Sequence, residues 1–324
     1  MTINPVLASD LLPSAQRWLW DGYLACGAVT LIEGDPGASK STVLLDLCAR
    51  LTTGSPWPDG SSCERAGRVL IFNSEDGANT VRGRLDALEA DLTRIDVEVS
   101  PLDLVSSWGE FEAYVRDQPH DAIVIDPMAS FIARQEHLVM PLLAALAAET
   151  ATSICLVRHL RKTAGRALYA GRGSISVVGS ARAAFIIGGD PAVEDRSIMA
   201  CTKMNLARKP VTLAFTIAER GGFAIPVWQG RSDHDADAVV TGSSHSRRER
   251  TEAAEFLVDL LQAGPVLAVE VRAAAEKAAV AYSTLRRAKS DLRVRSEKST
   301  YAGGWTWALP LEPSKMLNVV EDAH

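Results

Sequence analysis

The chain has 324 residues, of which 47% are hydrophobic and 23% are charged, and its net charge is −6. These values are ordinary for globular proteins, and they exclude a disordered polyelectrolyte or a collagen-like repeat. No stretch reaches the roughly 18 uninterrupted apolar residues of a membrane span, and the N-terminus lacks the pattern of a secretory signal. Five scattered cysteines without a CxxC pair indicate neither a disulfide framework nor a zinc site. We therefore expect a cytoplasmic protein without a membrane partner.

Apolar runs and helical patterns alternate over the first two thirds of the chain. The predicted strands are 28–32, 69–72, 122–125 and 153–157, and the predicted helices between them are 40–51, 79–92 and 139–150. Strands that are apolar on both faces and separated by helices indicate a parallel α/β sheet. Three closely spaced runs, 183–187, 197–202 and 211–216, predict an antiparallel edge.

The composition changes after residue 230. Residues 231–250 are polar and lack a helical or strand period, which predicts a flexible linker. Three helical patterns and two short strand patterns follow, in the order of a winged-helix domain. We therefore divide the chain into a lead-in over 1–27, an α/β domain over 28–230, a linker over 231–250, a winged-helix-like domain over 251–310 and a tail over 311–324.

Residues 34–41, GDPGASKS, lie between a predicted strand and a predicted helix. They match the phosphate-loop pattern G-x-x-x-x-G-K-[ST] except at Ser39, where glycine is expected. In such a loop, backbone N–H groups and the lysine contact phosphates, and the hydroxyl after the lysine binds Mg²⁺. The predicted nucleotide-binding residues are Gly34, Asp35, Pro36, Gly37, Ala38, Ser39, Lys40, Ser41 and Thr42. The alternative is an ordinary strand-to-helix turn.

Two carboxylates follow other predicted strands. Asp126 ends the strand AIVI, as a Walker B carboxylate does, and with Ser41 it is the predicted Mg²⁺ site. Glu75 follows the strand at 69–72, at the edge where parallel sheets bind ligands, and it is the predicted base for the attacking water. The alternatives are a turn opening at Asp126 and a favourable helix start at Glu75.

Six sequence pieces occur in the order found in a known group of ATPases. They are GDPGASKS, NSED, IVID, LVRHLRK, GRGSISVVGSAR and TKMN. From about residue 27 to 216 the chain resembles RecA-like ATPases of the plasmid replicative helicase type (RepA-like), near the KaiC and DnaB branches. The resemblance implies a RecA-like P-loop NTPase core of α/β class with a mostly parallel sheet, which uses ATP and Mg²⁺.

The resemblance also implies roles for individual residues. Glu75 falls on the catalytic base, and His159 falls on the histidine that senses the γ-phosphate. Arg182 falls on the arginine finger that enters the neighbouring subunit's site, and Lys203 is a second trans-acting cation. A finger in trans implies a homo-oligomer, with a hexameric ring as one form. From the residues alone, His159 can also be a polar strand end and Arg182 a surface arginine.

The C-terminal region is mildly basic. Residues 246–310 contain 11 basic and 8 acidic residues, a net charge of +3, whereas the remainder carries −9. In the pattern STLRRAKSDLRV the leucines and Ala288 form one stripe and the basic residues form another, as in a helix that reads DNA. The predicted DNA-binding residues are Arg286, Arg287, Lys289 and Arg293. The alternative is a protein-interaction cap with a solvated basic face.

These features predict an ATP-hydrolysing RecA-like motor that acts on single- or double-stranded DNA, as a helicase or helicase-like replication protein of a mobile element. The competing hypothesis is a DNA-binding regulator in which ATP is an assembly switch with little turnover. A third hypothesis is a nucleotide-gated protein scaffold that binds no DNA.

Overall fold

The computed structural model describes residues 5–12, 15–100, 102–132, 135–160, 175–278, 280–298 and 304–310. Its strands are β1 (Trp18–Trp20), β2 (Leu24–Ala25), β3 (Val29–Gly34), β4 (Val69–Asn73), β5 (Ile95–Glu98), β6 (Ala122–Asp126), β7 (Ser153–His159), β8 (Ala183–Gly189), β9 (Arg196–Met204), β10 (Thr212–Arg220), β11 (Phe223–Ser232), β12 (Val266–Leu267), β13 (Arg295–Lys298) and β14 (Trp305–Ala308). Its helices are α1 (Lys40–Thr53), α2 (Ala78–Ala87), α3 (Trp108–Asp117), α4 (Met128–Phe131), α5 (Glu136–Thr150), α6 (Ile175–Ser180), α7 (Ala236–Leu261), α8 (Ala268–Lys277) and α9 (Tyr282–Asp291). In these described ranges no helix is long and apolar enough to cross a membrane.

The chain forms two compact units, residues 1–240 and 241–324. The first unit contains a nine-stranded sheet in the order β11-β10-β9-β8-β3-β7-β6-β4-β5. The six strands from β8 to β5 are parallel, and β9, β10 and β11 continue the sheet antiparallel from β8. The α/β class, the mostly parallel sheet and the antiparallel edge predicted from the sequence are confirmed.

Hydrophobic cores cover both faces of this sheet. One face packs on α1, whose buried side chains include Val43, Leu44 and Leu47. The other face packs on α3, α4, α5 and α6. The alternation of side chains along β3 follows this arrangement, because Leu31 joins the second core and Ile32 joins the first.

Residues 18–25 of the predicted lead-in pack into the first unit's core. Strands β1 and β2 form a small antiparallel hairpin. Trp20 stacks between Tyr23 and Trp57, with ring centroids 3.9 and 5.4 Å apart, and all three side chains are buried. Burial of large aromatic rings stabilises this contact, so the separation of residues 1–27 from the core domain is wrong for this hairpin.

The predicted linker is also corrected. Residues 236–250 belong to α7, and residues 231 and 232 end β11. The helix begins where the Asp235 carboxylate accepts a hydrogen bond from the N–H of Ala238, at 3.0 Å. Ala236 and Val239 then pack against a small core that includes Leu160. This cap and this packing favour a helix despite the polar composition.

The second unit contains the end of α7, then β12, α8, α9 and the β13–β14 hairpin, with sheet order β12-β14-β13. Its core includes Leu257, Val271, Leu285 and Trp307. The predicted order of three helices and a hairpin is present, and β12 is an additional short strand. The predicted tail, residues 311–324, lies outside the described residues.

Candidate nucleotide-binding site

The carboxyl ends of four neighbouring parallel strands meet at one edge of the large sheet. Gly34 ends β3, His159 ends β7, Asp126 ends β6 and Asn73 ends β4. The register pairs Gly34 with His159 and Asn73 with Asp126. The strand order changes direction around β3, and this is where open α/β sheets bind their ligands.

The phosphate loop, residues 34–41, connects β3 to α1 with two residues in the left-handed backbone region. Gly37 has φ +77°, and Ser39 has φ 63° and ψ 24°. Ser39 therefore occupies the conformation that explains why glycine is expected at its position. Gly34 is required for another reason, because an added Cβ would overlap the carbonyl oxygen of Ile187 on β8.

Helix α1 begins at Lys40, so its first N–H groups point into the loop without intrahelical acceptors. Ser41 and Thr42 lie in this first turn and are half-buried. Together with the positive end of the helix dipole, these groups form an anion-binding arrangement.

Lys40 is buried beneath the loop. Its Nζ donates to the carbonyl oxygens of Gly34 and Asp35, at 3.0 and 2.8 Å, and it lies 3.3 Å from Nδ1 of His159. Burial lowers the pKa of Lys40, while nearby carboxylates oppose that shift. The Lys40 ammonium group is partly desolvated, and the two carbonyl oxygens and the imidazole ring that it contacts are neutral. Its electrostatic attraction to a bound phosphate would therefore be strong.

Asp126 is buried at the end of β6 and forms a side-chain hydrogen bond with Ser41. Burial raises the pKa of Asp126 to about 6, the Ser41 bond opposes this shift, and the charge of Glu75 adds to it. A hydroxyl and a poorly compensated carboxylate are oxygen donors suited to Mg²⁺, which keeps several waters and phosphate ligands of its own. The described residues contain no cluster of three or more His, Cys, Asp and Glu side chains that could hold a metal by itself.

Glu75 lies in the turn after β4. The Asn73 side-chain oxygen accepts hydrogen bonds from the N–H groups of Glu75 and Asp76, at 3.1 and 2.8 Å, which fixes the turn. Asp76 pairs with Arg84 at 2.8 Å, whereas the Glu75 side chain is 56% exposed. Asn73 was not among the predicted site residues, although an Asn at the end of an apolar run is a recognisable turn signal.

His159 lies between Lys40 and Glu75. Its Nδ1 is 3.3 Å from Lys40 Nζ, and its Nε2 is 3.9 Å from a Glu75 carboxylate oxygen. A charged ammonium can only donate, so a neutral imidazole here accepts at Nδ1 and carries its proton on Nε2, toward Glu75. The structure thus brings Lys40, Ser41, Asp126, Glu75 and His159 together at one sheet edge.

Two comparisons with known proteins concern the first unit and its fold. Residues 5–165 match the family model described as an AAA domain. A KaiC-like protein of Pyrococcus horikoshii superposes with a TM-score of 0.50 at 14% sequence identity, over 66% of this chain and 100% of that chain. The first unit has a RecA-like α/β fold. A search of curated proteins gives no match. The fold and the family match support a nucleotide-binding ATPase core.

The two predicted trans-acting cations lie at the opposite edge of the RecA-like core. The N–H of Arg182 donates to the carbonyl of Val29, the first residue of β3, at 2.9 Å. Lys203 Nζ donates to the carbonyl oxygens of Val178 and Ala181, at 2.5 and 2.6 Å, beside the end of α6. Arg182 is exposed. The structure does not bring either cation to the phosphate loop of its own chain, and Lys203 is engaged in backbone contacts.

The second unit has a basic groove between α9 and the β13–β14 hairpin. Leu285, Ala288 and Leu292 are buried, as the predicted inward stripe requires. The groove has a volume of about 500 Å³, and its lining includes Tyr282, Arg286, Lys289, Arg293, Arg295 and Trp307.

Arg286 and Arg293 are exposed at this groove, but Lys289 does not point straight outward as predicted. Its Nζ lies 4.0 Å from the centre of the Trp307 ring and 2.5 Å from Ser296 Oγ, because a cation gains from contact with an aromatic face. Arg287 lies outside the residues whose side chains are described.

Proposed function

We propose that this chain binds ATP and hydrolyses it with Mg²⁺ as a motor that acts on DNA, a helicase or helicase-like replication protein of a mobile element. The convergence of Lys40, Ser41, Asp126, Glu75 and His159 at one sheet edge carries the proposal. A lysine under a phosphate loop, a metal carboxylate and a second carboxylate within reach of the γ-phosphate are the parts that phosphoryl transfer to water needs.

In this proposal the phosphate loop and Lys40 hold the triphosphate, and Ser41 and Asp126 hold Mg²⁺. The metal supplies neutralisation of charge on the phosphate oxygens. Glu75 orients the attacking water and accepts its proton. The 3.9 Å separation of His159 from Glu75 supports a role for His159 in sensing the γ-phosphate, since one ring contacts both Lys40 and the base.

Arg182 stabilises the transferred phosphoryl group of a neighbouring subunit in this proposal, with Lys203 in support, so the active form is a homo-oligomer, such as a hexameric ring. The position of Arg182 at the far edge of its own core supports action in trans. A mixing experiment tests it. Lys40→Ala and Arg182→Ala variants should each be inactive, and an equal mixture should recover about a quarter of wild-type turnover, because about one interface in four then has both residues.

The second unit is the proposed DNA-contacting element, a winged-helix-like domain. The exposed Arg286 and Arg293 beside the groove support it, because guanidinium groups along a helix and hairpin suit phosphate contacts. Replacing both with Ala should weaken DNA binding and flatten its salt dependence. Lys277→Ala, an exposed charge on α8, is the control, and equal losses in both proteins would favour the interaction cap.

The competing function is a DNA-binding regulator in which ATP drives assembly with little turnover. The left-handed backbone of Ser39 favours it, since a side chain at this loop position crowds the place where phosphate approaches.

The deciding experiment measures ATP hydrolysis with no DNA, with single-stranded DNA and with double-stranded DNA. Glu75→Gln should keep ATP binding and lose turnover, and Glu219→Gln, an exposed carboxylate on β10, should behave as wild type. DNA-stimulated turnover with strand displacement supports the motor. Nucleotide-dependent DNA binding without turnover indicates the switch, and ATP binding without DNA binding indicates a scaffold.

A further inference from the structure

A buried ion pair lies directly behind the nucleotide site. Glu33 precedes Gly34 on β3, and Arg158 precedes His159 on β7. The two residues are register partners, and Arg158 Nε lies 2.5 Å from a Glu33 carboxylate oxygen. Their side chains are only 1% and 3% exposed.

The pair lies on the sheet face opposite the phosphate loop. Side chains alternate along a strand, so Glu33 shares a face with Leu31, and Arg158 shares one with Leu156. Both leucines belong to the core formed with α5, whereas Ile32 belongs to the core formed with α1. The ion pair therefore does not contact a nucleotide held by the loop.

Stability gives no sufficient reason for this arrangement. The attraction within a buried ion pair only roughly offsets the free energy needed to desolvate both charges. Apolar residues of similar size at the same positions often give a more stable protein. One carboxylate oxygen of Glu33 is buried without a hydrogen-bond partner in the described part of the chain. The core that α5 forms on this face consists of apolar side chains in the described part of the chain, so leucine and methionine would fit its chemistry.

The geometry points to Glu33 and Arg158 as positioning residues for the ATP site, an inference that rests on the proposed function. The pair joins the second-to-last residues of β3 and β7, directly before Gly34 of the phosphate loop and before His159. Gly34 supplies its carbonyl oxygen to Lys40 Nζ at 3.0 Å and to the N–H of Leu160 at 3.3 Å. A directional link between these strand ends holds the His159 ring against Lys40, and an apolar contact of the same volume lacks that direction.

The test replaces the pair with Glu33→Leu and Arg158→Met in the full chain. We expect a melting temperature close to that of wild type, because both members of the Glu33–Arg158 pair are removed together. The kcat for ATP should fall about tenfold or more, since small misplacements of catalytic groups slow turnover strongly, while KM changes by less than about threefold. The exposed pair Arg116 and Glu149, changed together to Gln, is the control and should keep wild-type kcat.

A second readout separates this inference from the proposed function. Nitrogen-15 NMR of labelled histidine, with the His159 signal assigned through His159→Gln, reports the ring's tautomer and its titration. We expect both to change in the double variant, even if wild type hydrolyses no ATP and the proposed function fails. Wild-type kcat or an unchanged His159 signal would overturn the inference. If the double variant does not fold, Arg158→Lys replaces it, because lysine keeps the charge without the planar guanidinium group. This variant should show the same loss of kcat and the same change in the His159 signal at an unchanged melting temperature. Wild-type kcat with an unchanged His159 signal in this variant would equally overturn the inference.

Discussion

Replacing Asp126 with Asn should stabilise the metal-free protein at neutral pH. The carboxyl group has a pKa of about 6 in the fold against an ordinary value of 3.8, so the folded state binds its proton more tightly. The stability that this protonation contributes is complete below about pH 4 and is lost as the pH rises through 6. Two pKa units correspond to about 3 kcal/mol. Lys40 loses a favourable neighbour in the variant, so we expect a net gain of about 1–3 kcal/mol at pH 8.

The assay is unfolding by denaturant in the presence of EDTA, at pH 5 and at pH 8. Asp126→Asn should exceed wild type by its full margin at pH 8 and by about half of that margin at pH 5. Mg²⁺ with a non-hydrolysable ATP analogue should reverse the order, because ligand binding then stabilises wild type alone. A variant that is less stable than wild type at both pH values without metal would refute the reasoning that burial, uncompensated by a cation, destabilises the carboxylate.

The other predictions concern the loop and a control carboxylate. Ser39→Gly should raise the free energy of unfolding by about 0.5–1 kcal/mol, because a residue with a Cβ is strained in the left-handed backbone conformation. Calorimetry should show equal or tighter ATP binding in this variant. Weaker binding would mean that the Ser39 hydroxyl contacts the nucleotide. Gly34→Ala should lower stability by about 3 kcal/mol and abolish ATP binding, since the Ile187 carbonyl must move; a folded variant with normal affinity would contradict this. Asp121→Asn removes the charged partner of Arg65 at the far edge of the sheet. The free energy of unfolding should therefore fall by about 1 kcal/mol, while the KM for ATP is unchanged.

The central strands were predictable because burial on both faces leaves a continuous apolar run. Residues 69–72 and 122–125 are such runs, and they become β4 and β6. The outer strand β5, residues 95–98, reads IDVE and is only partly buried, so it carries no such run. Its position depends on pairing with β4, which is a contact distant in sequence.

Helix boundaries were less predictable, because caps and tertiary packing set them. The predicted helix over 79–92 ends at Ala87, where the chain turns through Glu89 at φ 59°. The polar start of α7 resembles a linker in composition. Arginine and glutamate are nevertheless good helix formers, and two apolar contacts are enough to hold its first turn on the sheet.

The candidate-site residues that lie at the ends of apolar strands could be predicted from the sequence. Asp126 and Glu75 come directly after apolar runs, and all carboxyl ends of a parallel sheet lie at one edge, so a short motif places each group. The Glu33–Arg158 pair was not predictable in this way. Each residue is a single charge at the end of an apolar run, and only the β3–β7 register shows that the two meet.

The electrostatics of the site support the proposed metal–triphosphate ligand. Burial lowers the pKa of Lys40 and raises that of Asp126, so desolvation disfavours the charged form of each. A triphosphate supplies the anion that Lys40 lacks, and Mg²⁺ supplies the cation that Asp126 lacks. Neither half of the ligand compensates both groups, so binding of nucleotide and metal should be mutually dependent. Binding below about pH 6 should also release a proton from Asp126, which links affinity to pH through the metal side of the site.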